Sequence, residues 1–405
     1  MIILKVLLFL EHSFSLINNE LYCEKVITND YISRYTSIFD SVTICARENK
    51  LLQNYIKEPL HNVGFLPLPN YNSNQILLHM QSLVKIIRQE INYYDAIIIR
   101  APSSISLLAY SVATKSNLPY IAEIVINPMN FFSNNKNYLK KAINFVGKSI
   151  MVNHTKKLCL NANGVSYVTE RSLQKLFPSH AKKYGESKQY FETFYSSIDL
   201  KDDKYSDIIN NYDKNSNFVL CHIGWMVGYN KGHMRILKAV KKLKEKDINI
   251  FVNFIGDGPK LEEFKQYSVQ LGISENINFL GKIDNFSDIQ KVLSNSHLFV
   301  FPSQAEGLPR SVLEAMANSL PCIASDIDGM SELLSDEVLF DLEDFDRMVF
   351  LIEKMIKDDE FRILNAKLNY KKARSYHYDI LSKKRMDFYM RLYHLAESKN
   401  GIMNQ

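Results

Sequence analysis

The sequence predicts an α/β protein with two doubly wound domains, each built on a mostly parallel sheet. The chain has 405 residues, which is more than one hydrophobic core usually serves. Strand-like apolar runs alternate with helical patterns in two series, and the residues between the series are polar and lack apolar periodicity. We therefore predict a Rossmann-like N-terminal domain over 1–200, a linker over 201–216, a second Rossmann-like domain over 217–375 and a C-terminal helix over 376–405.

The first series opens with IILKVLLFL, a continuous apolar run that is typical of a buried parallel strand. Because no basic segment precedes the run, and Glu11 and His12 follow it, we favour a strand over a signal peptide. Further strands are predicted at SVTICAR, YDAIIIRAPS and YIAEIVINP, and helices at ILLHMQSLVKIIRQEI and ISLLAYSVATKSNLP. This alternation predicts right-handed βαβ units.

The second series is more regular. Its predicted strands are NFVLCHIG, INIFVNFIGDGP, NINFLGKI, HLFVFPS and PCIASD, with helical patterns between them. The end of the chain, YHYDILSKKRMDFYMRLYHLAES, has the pattern of one long amphipathic helix, a candidate to cross back to the first domain. We expect the two domains to face each other across a cleft, with ligands at the carboxyl ends of the strands.

Composition argues against several classes of protein. The five cysteines are scattered, odd in number and without a C-x-x-C pair, which argues against a disulfide framework or a zinc site. The sequence has no apolar span of about twenty residues that would cross a membrane. The sequence shows no cluster of metal-ligating residues, so we expect a protein that uses no metal. The cysteine pattern fits a reducing cytosol, so we expect a cytoplasmic protein.

The net charge of +5 is unevenly distributed along the chain. Between Asp95 and Glu170 eight basic residues stand against one acid, Glu123, and aromatic and aliphatic residues alternate with the lysines over 131–157. Such a segment suits an anionic bilayer surface, which would make the protein peripheral on the inner face of the cell membrane. An ordinary helix, with lysines on its exposed face and its apolar side in the core, is an equally open interpretation of this segment. Nucleic acid is not expected, because no binding motif accompanies the charge.

The stretch EGLPRSVLEAMANSLPCIAS, which begins at Glu306, places a carboxylate on each side of a turn into a helix. Proline is tolerated at a first helical position, so the helix would begin at Pro309 or Arg310, and Gly307 would let the backbone approach a ligand. The unpaired amides of a helix N-terminus favour an anion such as a phosphate. Glu306 and Glu314 would then bind hydroxyl groups on either side of it. A ligand with an anion between two polyhydroxylated groups is a nucleotide sugar.

A cation for that anion lies upstream, in HIGWMVGYNKGH. Gly224 follows the preceding strand, and Lys231 stands just before Gly232 and a predicted helix. A lysine at such a turn can neutralise a diphosphate. A Lys-Gly pair that opens a helix is also a common structural feature.

The order of these motifs resembles the nucleotide-sugar-binding domain of retaining glycosyltransferases of the GT-B fold, family 4. The resemblance is carried by KGH, FIGDGP, INFLGKI, VFPSQAEGLPRSVLEAMANSLPCIASD and GMSELL. It covers about 217–335 and is weaker in the first half, where IIIRAPS and LPYIAEIVINP are similar to the bacterial polysaccharide-assembly branch.

The resemblance implies specific roles in donor binding. Glu314 would hold the ribose hydroxyls, Glu306 would face the transferred sugar, and Lys231 would be the diphosphate cation. The remaining donor-binding candidates, which would support the sugar, the phosphates and the base, are Gly224, Lys282, Gly307, Leu308, Pro309 and Arg310.

The chain also departs from the family pattern. Trp225 stands where many members carry an arginine that clamps the phosphates, so Arg310 or Arg100 would supply the missing charge. We expect Trp225 to be a packed loop aromatic. Met129-Asn130 replaces a more frequent Trp-Asp, and no glycine pair follows the first strand, which leaves the handling of the acceptor open.

The resemblance implies transfer of a sugar from a UDP- or GDP-linked donor to a hydroxyl of a glycan or lipid-linked acceptor, with retention of configuration and no cofactor. His12, Arg100 and Glu123 are candidates on the acceptor side, and each also has a purely structural interpretation. A nucleotide-sugar epimerase and a non-catalytic nucleotide-sugar-binding protein stay open as alternatives. An NAD-dependent oxidoreductase is disfavoured, because the first strand lacks G-x-G-x-x-G.

Overall fold

The chain divides into two compact units. A computed structural model describes residues 3–23, 27–49, 58–71, 76–131, 138–210, 212–213 and 216–403. The first unit combines Met1–Tyr195 with Ser382–Gln405, and the second unit is Ser196–Leu381. The polar stretch that the sequence marks as a linker begins inside the second unit, where Ser206 N donates to Ala317 O at 2.9 Å.

In the first unit the described strands form one sheet of eight, with the order β4-β3-β1-β5-β6-β7-β8 and β2 antiparallel to β1. The other pairings are parallel. The strands are β1 (Lys5–Ile17), β2 (Glu20–Cys23), β3 (Ser41–Glu48), β4 (Gly64–Leu68), β5 (Ala96–Ala101), β6 (Tyr120–Ile124), β7 (Gly164–Tyr167) and β8 (Phe191–Phe194). The doubly wound α/β architecture predicted from the alternation is therefore confirmed for this half.

The antiparallel hairpin is the feature that the periodicity did not predict. β1 continues past its apolar run to Ile17 and turns back through Asn18 and Asn19, whose φ values are +51° and +65°. Asparagine tolerates this left-handed region better than most residues, and a two-residue turn of this hand matches the twist of the paired strands.

In the described part of the first unit, three helices have side-chain N-caps, at Thr28, Ser103 and Ser179. Thr28 Oγ1 accepts from Tyr31 N, and Ser103 forms a reciprocal capping box with Ser106. The helices are α1 (Asn29–Thr36), α2 (Ile76–Glu90), α3 (Ser104–Ala113), α4 (Tyr138–Asn161), α5 (Ser172–Leu176) and α6 (His180–Tyr184). The apolar residues of β1, β5 and β6 pack with those of α2 and α3 in one core.

The second unit contains a parallel sheet of six described strands in the order β11-β10-β9-β12-β13-β14. These are β9 (Phe218–Ile223), β10 (Ile250–Ile255), β11 (Ile277–Phe279), β12 (Leu298–Phe301), β13 (Cys322–Ser325) and β14 (Leu339–Phe340). The helices that lie wholly in this unit are α7 (His233–Lys244), α8 (Leu261–Gln270), α9 (Phe286–Ser294), α10 (Arg310–Ala317), α11 (Met330–Leu333), α12 (Phe345–Lys357) and α13 (Asp359–Arg374). The last helix, α14 (Tyr378–Met403), begins in this unit and belongs to the first unit from Ser382 onward. The sheet contains only parallel pairs among the described strands, as the second series predicts.

Two further predictions can be compared with the fold. Among the residues described, no helix is both long enough and apolar enough to cross a bilayer. The five cysteines, all within the described ranges, are buried and form no disulfide.

Candidate functional site

Two neighbouring strand ends in the second sheet define the candidate site. β9 and β12 lie side by side, and the sheet order runs away from them in opposite directions, through β10 on one side and β13 on the other. In doubly wound sheets this switch point is where ligands bind, at the carboxyl ends of the strands. The loops after β9 and β12 carry Lys231 and Glu306.

The two loops are fastened to each other through their backbones. Gln304 N donates to Asn230 O at 2.8 Å, and Ser303 Oγ lies 3.2 Å from the same oxygen. Gly232, the N-cap of α7, has φ +83°, and a Cβ at this position would overlap the carbonyl oxygen of Pro302. Glycine alone combines that left-handed backbone with so close an approach. The glycine of the KGH motif is therefore required by the fold itself.

The IGDGP turn supports the loop that carries the lysine. Gly224 N donates to Ile255 O at 2.9 Å, and Met226 N donates to Asp257 O at 2.9 Å. Gly256 has φ +142°, and a Cβ there would overlap the carbonyl oxygen of Gly224. The turn therefore fixes the backbone at the start of the loop.

Lys231 and Glu306 form an ion pair between the two loops. Ser303 Oγ donates to Glu306 Oε1 at 2.9 Å. The side chains of Lys231 and Glu306 are 32 % and 15 % exposed, so water screens the pair less than it screens a surface pair. Lys231 Nζ also lies 5.8 Å from the centre of the Phe301 ring. The two residues predicted to be catalytic thus lie together at the switch point.

Glu314 lies about one turn into α10 and is in a different situation. Its side chain is partly buried, and its carboxylate makes no hydrogen bond or ion pair with any residue that the structure describes. Burial raises the pKa of this carboxyl, against the opposing effect of the charges of Arg310 and Lys204. A partly buried carboxylate without a hydrogen-bond donor is costly to maintain. The position therefore suits a ligand that supplies hydroxyl donors.

The N-terminus of α10 offers backbone amides to an anion. Pro309 is the N-cap and makes no side-chain cap, and the first turn contains no acidic residue. Leu313 N donates to Pro309 O at 3.4 Å, so the amides of Arg310, Ser311 and Val312 lie ahead of this bond. Together with the helix dipole, such amides favour a negatively charged group.

The other predicted donor residues differ in exposure. Gly224, Gly307 and Leu308 are buried within the loops, where their backbones can still line the site. Lys282 is exposed and forms an ion pair with Asp284. Its place beside a nucleotide base stays a prediction.

Trp225 does not pack as the sequence suggests. It is the only tryptophan of the chain, and its side chain is 53 % exposed, although Gly224 and Met226 on either side are buried. The expectation of a packed loop aromatic is therefore wrong. The backbone N–H of the next residue, Met226, donates to Asp257 O. The exposed indole lies in the same loop as Lys231.

Two buried histidines lie next to this loop, and the sequence analysis missed both. His222 Nδ1 donates to Val300 O at 2.8 Å, and the His222 ring lies 4.6 Å from the His233 ring. Burial lowers the pKa of His222 well below its usual value and that of His233 to about 4. Both rings are therefore neutral at pH 7. Their positions directly before and after the loop, in CHIG and KGH, were the available signal.

In the first unit Glu123 has an internal role. Its carboxylate accepts hydrogen bonds from Tyr35 Oη at 3.0 Å, from Tyr195 Oη at 3.1 Å and from Tyr389 Oη. Arg100 Nη1 lies 3.4 Å from the same carboxylate. Because Tyr389 belongs to α14, Glu123 fastens the C-terminal helix to the first unit. These contacts give the carboxylate a structural role, and its place among the acceptor-side candidates stays a prediction.

His12 lies in the middle of β1, beyond the end of its ladder with β5, and Arg100 lies near the carboxyl end of β5. Both are partly buried. Burial lowers the pKa of His12, and the neighbouring charge of Arg100 lowers it further.

Only part of the basic segment can be compared with its prediction, because residues 132–137 lie outside the described residues. In the described part of α4, Phe145 and Val146 are 71 % and 56 % exposed. Lys156 and Lys157 are exposed on the same helix. Among the residues described, no three His, Cys, Asp or Glu side chains come together in a way that could hold a metal ion.

Residues 207–374 match the family described as glycosyl transferases, group 1. These residues are therefore similar to a group 1 glycosyltransferase domain. The matched segment includes β9 to β14 and therefore the whole site around Lys231, Glu306 and Glu314.

Relatives extend the similarity along the chain. Protein CapJ of Staphylococcus aureus is 26 % identical over 349 residues, which are 85 % of this chain and 84 % of CapJ. The capsular polysaccharide biosynthesis glycosyltransferase CapH of Staphylococcus aureus is 29 % identical over 49 % of this chain and 50 % of CapH. The UDP-Gal:alpha-D-GlcNAc-diphosphoundecaprenol alpha-1,3-galactosyltransferase of Escherichia coli is 28 % identical over 42 % of this chain and 46 % of the enzyme. The chain thus spans most of CapJ and half or less of the other two.

A solved structure agrees on the fold. Sucrose-phosphate synthase from Thermosynechococcus elongatus superimposes with a TM-score of 0.70 over 97 % of this chain and all of the enzyme, at 12 % identity. This likeness shows the GT-B fold with its two Rossmann-like domains, as the sequence predicts.

Proposed function

We propose that the chain is a retaining glycosyltransferase that moves a sugar from a nucleotide diphosphate sugar to a hydroxyl of a lipid-linked glycan. The observation that carries this proposal is the Lys231–Glu306 ion pair beside the N-terminus of α10, which has no side-chain cap. One turn further along lies Glu314, whose carboxylate makes no hydrogen bond or ion pair with a described residue. The group 1 match over 207–374 supports the same reaction class.

Each residue of the site would bind a different part of the donor. The amides at the start of α10 and Lys231 would bind the diphosphate. Glu314 would accept the ribose hydroxyls, and Glu306 would accept hydroxyls of the transferred sugar when the phosphates take over its lysine. Glu314, which has no hydrogen-bond donor among the described residues, would gain donors from the ligand, and Glu306 would replace its ion pair with Lys231 by hydrogen bonds from the sugar.

The mechanism we propose is electrostatic and needs no metal or cofactor. The bond between the anomeric carbon and the phosphate oxygen breaks, and the acceptor oxygen forms its bond to the same face of that carbon. The acceptor proton passes to the departing phosphate oxygen. Lys231 and the α10 dipole stabilise the charge that grows on this leaving group.

The lipid-linked acceptor is supported by the relatives and by the surface of α4. The galactosyltransferase of Escherichia coli is named for a diphosphoundecaprenol-linked acceptor. The exposed Phe145 and Val146, with lysines on the same helix, suit an anionic bilayer surface. Flotation with anionic and with neutral liposomes tests this part, and equal recovery with both would refute it.

The central experiment is a donor screen. The purified chain is incubated with UDP- and GDP-sugars, with and without a polyprenyl diphosphate-linked sugar, and the released nucleotide is measured. We expect one donor to release nucleotide, and both Glu306→Ala and Lys231→Ala to abolish the release. Binding without release would favour a nucleotide-sugar-binding protein, and conversion of one nucleotide sugar into another would favour an epimerase.

A further inference from the structure

A bulge in the middle of β1 places His12 away from the regular ladder. β1 and β3 pair Phe9 with Cys45 and next pair Ser13 with Arg47, so three residues of β1 stand opposite one of β3. Bulges of this kind redirect side chains and are frequent next to functional sites. His12 is only partly buried, and its ring makes no hydrogen bond to any residue in the described part of the chain.

Arg100 lies on the neighbouring strand β5, one residue beyond Ile99, which pairs with Phe9 of β1. Its Nη1 donates to Tyr31 Oη at 2.8 Å and lies 3.4 Å from Glu123 Oε2. No hydrogen bond joins its Nε or Nη2 to a residue that the structure describes, and the side chain is 25 % exposed. A guanidinium has five N–H donors in a rigid fork, so one edge is anchored while the other stays open to a ligand.

The neighbouring carboxylates are already engaged. The Glu123 carboxylate accepts hydrogen bonds from three tyrosine hydroxyls, which stabilise its charge inside the first unit. Glu11 accepts from Ser104 Oγ at 2.7 Å and from Ile105 N at 2.8 Å, and it forms an ion pair with Arg47. Neither acid therefore needs the open edge of the guanidinium.

The charges around His12 favour an anion. Besides burial, the groups that act on its pKa are Arg100 from β5, Glu11 from β1 itself and Arg47 from β3. The lowering effect of Arg100 exceeds the raising effect of Glu11, and Arg47 adds to the lowering. The charges of Arg100 and Arg47 thus act with burial against a protonated His12, and a bound anion would oppose this effect.

We propose that Arg100 and His12 form an anion subsite on the first unit that binds a phosphate group of the acceptor. The open fork of Arg100 matches the oxygens of a phosphate in bidentate fashion, and His12 adds a second donor once it is protonated. This inference rests on the proposed function only for the source of the phosphate. The subsite itself is a property of the first unit.

The first test measures binding alone, in the full chain. The Lys231→Ala background removes the donor-side lysine, and the affinity for inorganic pyrophosphate is measured by calorimetry. Loss of a charged hydrogen-bonding partner predicts about tenfold to hundredfold weaker binding in Arg100→Gln. Arg88→Gln, which removes an exposed arginine of α2 in the same unit, leaves the affinity unchanged. Equal affinity in Arg100→Gln and Arg88→Gln would overturn the subsite.

His12→Gln keeps the proposal testable if Arg100→Gln unfolds the unit by exposing Glu123. Sulfate does not titrate near neutrality, so its binding reports the imidazole. Because a bound anion stabilises protonated His12, we expect sulfate to bind more tightly as the pH falls through the lowered pKa of His12. His12→Gln abolishes this pH dependence. The same dependence in both proteins would contradict the role of His12.

Steady-state kinetics identify the source of the phosphate. Arg100→Lys keeps the charge and loses the fork, so we expect the KM for the lipid-linked acceptor to rise about tenfold while the KM for the nucleotide sugar stays constant. A rise in the donor KM alone would assign the phosphate to the donor and overturn the acceptor assignment. If no donor releases nucleotide at all, the proposed function fails, and the pyrophosphate measurement still decides the subsite.

Discussion

Lys231→Met is the substitution that tests the candidate site most directly. It keeps much of the apolar stem of the side chain and removes the cation that forms the ion pair with Glu306. If Lys231 stabilises the leaving diphosphate, the loss falls mainly on kcat, because the charge on that group grows in the transition state.

The size of the effect follows from the burial of the pair. With side chains 32 % and 15 % exposed, the site is intermediate between water and a dry interior. Two unit charges at about 4 Å interact by about 4 kcal/mol at an effective dielectric constant of about 20. Loss of a group that stabilises an oxyanion usually costs about 3–4 kcal/mol, so we expect kcat to fall about 10²- to 10³-fold.

The assay is release of nucleotide at saturating donor and acceptor. Lys238→Met, at an exposed position of α7, is the matched control and is expected to stay within about twofold of the parent. The double variant Lys231→Met/Glu306→Gln removes the carboxylate that the single variant leaves without its lysine. Recovery of activity in the double variant, or a single variant that keeps more than a tenth of kcat, would refute the role of Lys231 at the phosphates.

Four further predictions concern the rest of the site and the fold. Because burial raises the pKa of Glu314, the charged carboxylate destabilises the folded protein at neutral pH. Glu314→Gln should therefore raise Tm at pH 7, and it should weaken donor binding. The gain in Tm should shrink as the pH falls toward 4.5, where the carboxyl becomes protonated. Gly232→Ala should lower Tm markedly, since its Cβ would overlap a carbonyl, whereas Gly228→Ala meets nothing within 4 Å and should not. Tyr389→Phe should remove about 1.5–3 kcal/mol of stability and speed hydrogen exchange in α14, because its hydroxyl donates to a buried carboxylate. Nucleotide release should persist in EDTA, and its loss with recovery on adding Mg²⁺ would contradict a lysine-based mechanism.

The fold and the centre of the site could be predicted because they depend on local patterns. Alternating apolar strands and amphipathic helices determine a doubly wound sheet with little reference to distant residues. Glu306 and Glu314 flank a helix start within one short segment, so their relation is visible in the sequence. The Lys231–Glu306 pair joins two loops, and it follows once both loops are placed at the ends of adjacent strands.

The features that were missed depend on contacts between distant parts of the chain. Glu123 is 266 positions from Tyr389 along the sequence, and no periodicity relates them. The bulge that redirects His12 is a mismatch between two strands, and a single strand does not reveal it. Trp225 was predicted to be packed because aromatic residues usually are, but its neighbours Gly224 and Met226 take the buried positions of the loop.

The two acids of the site differ in a way that bears on how the site works. Glu306 is satisfied by Lys231 and by Ser303, so its charge is compensated before any ligand binds. Glu314 has no such compensation from the described residues, and burial raises the pKa of its carboxyl. A nucleotide without its sugar would take Lys231 from Glu306 and leave that carboxylate without a cation, which costs free energy. The complete nucleotide sugar would replace the lysine with sugar hydroxyls. This exchange predicts that the site discriminates in favour of the intact donor, and Glu306→Gln should therefore bind the free nucleoside diphosphate relatively more tightly than the parent protein does.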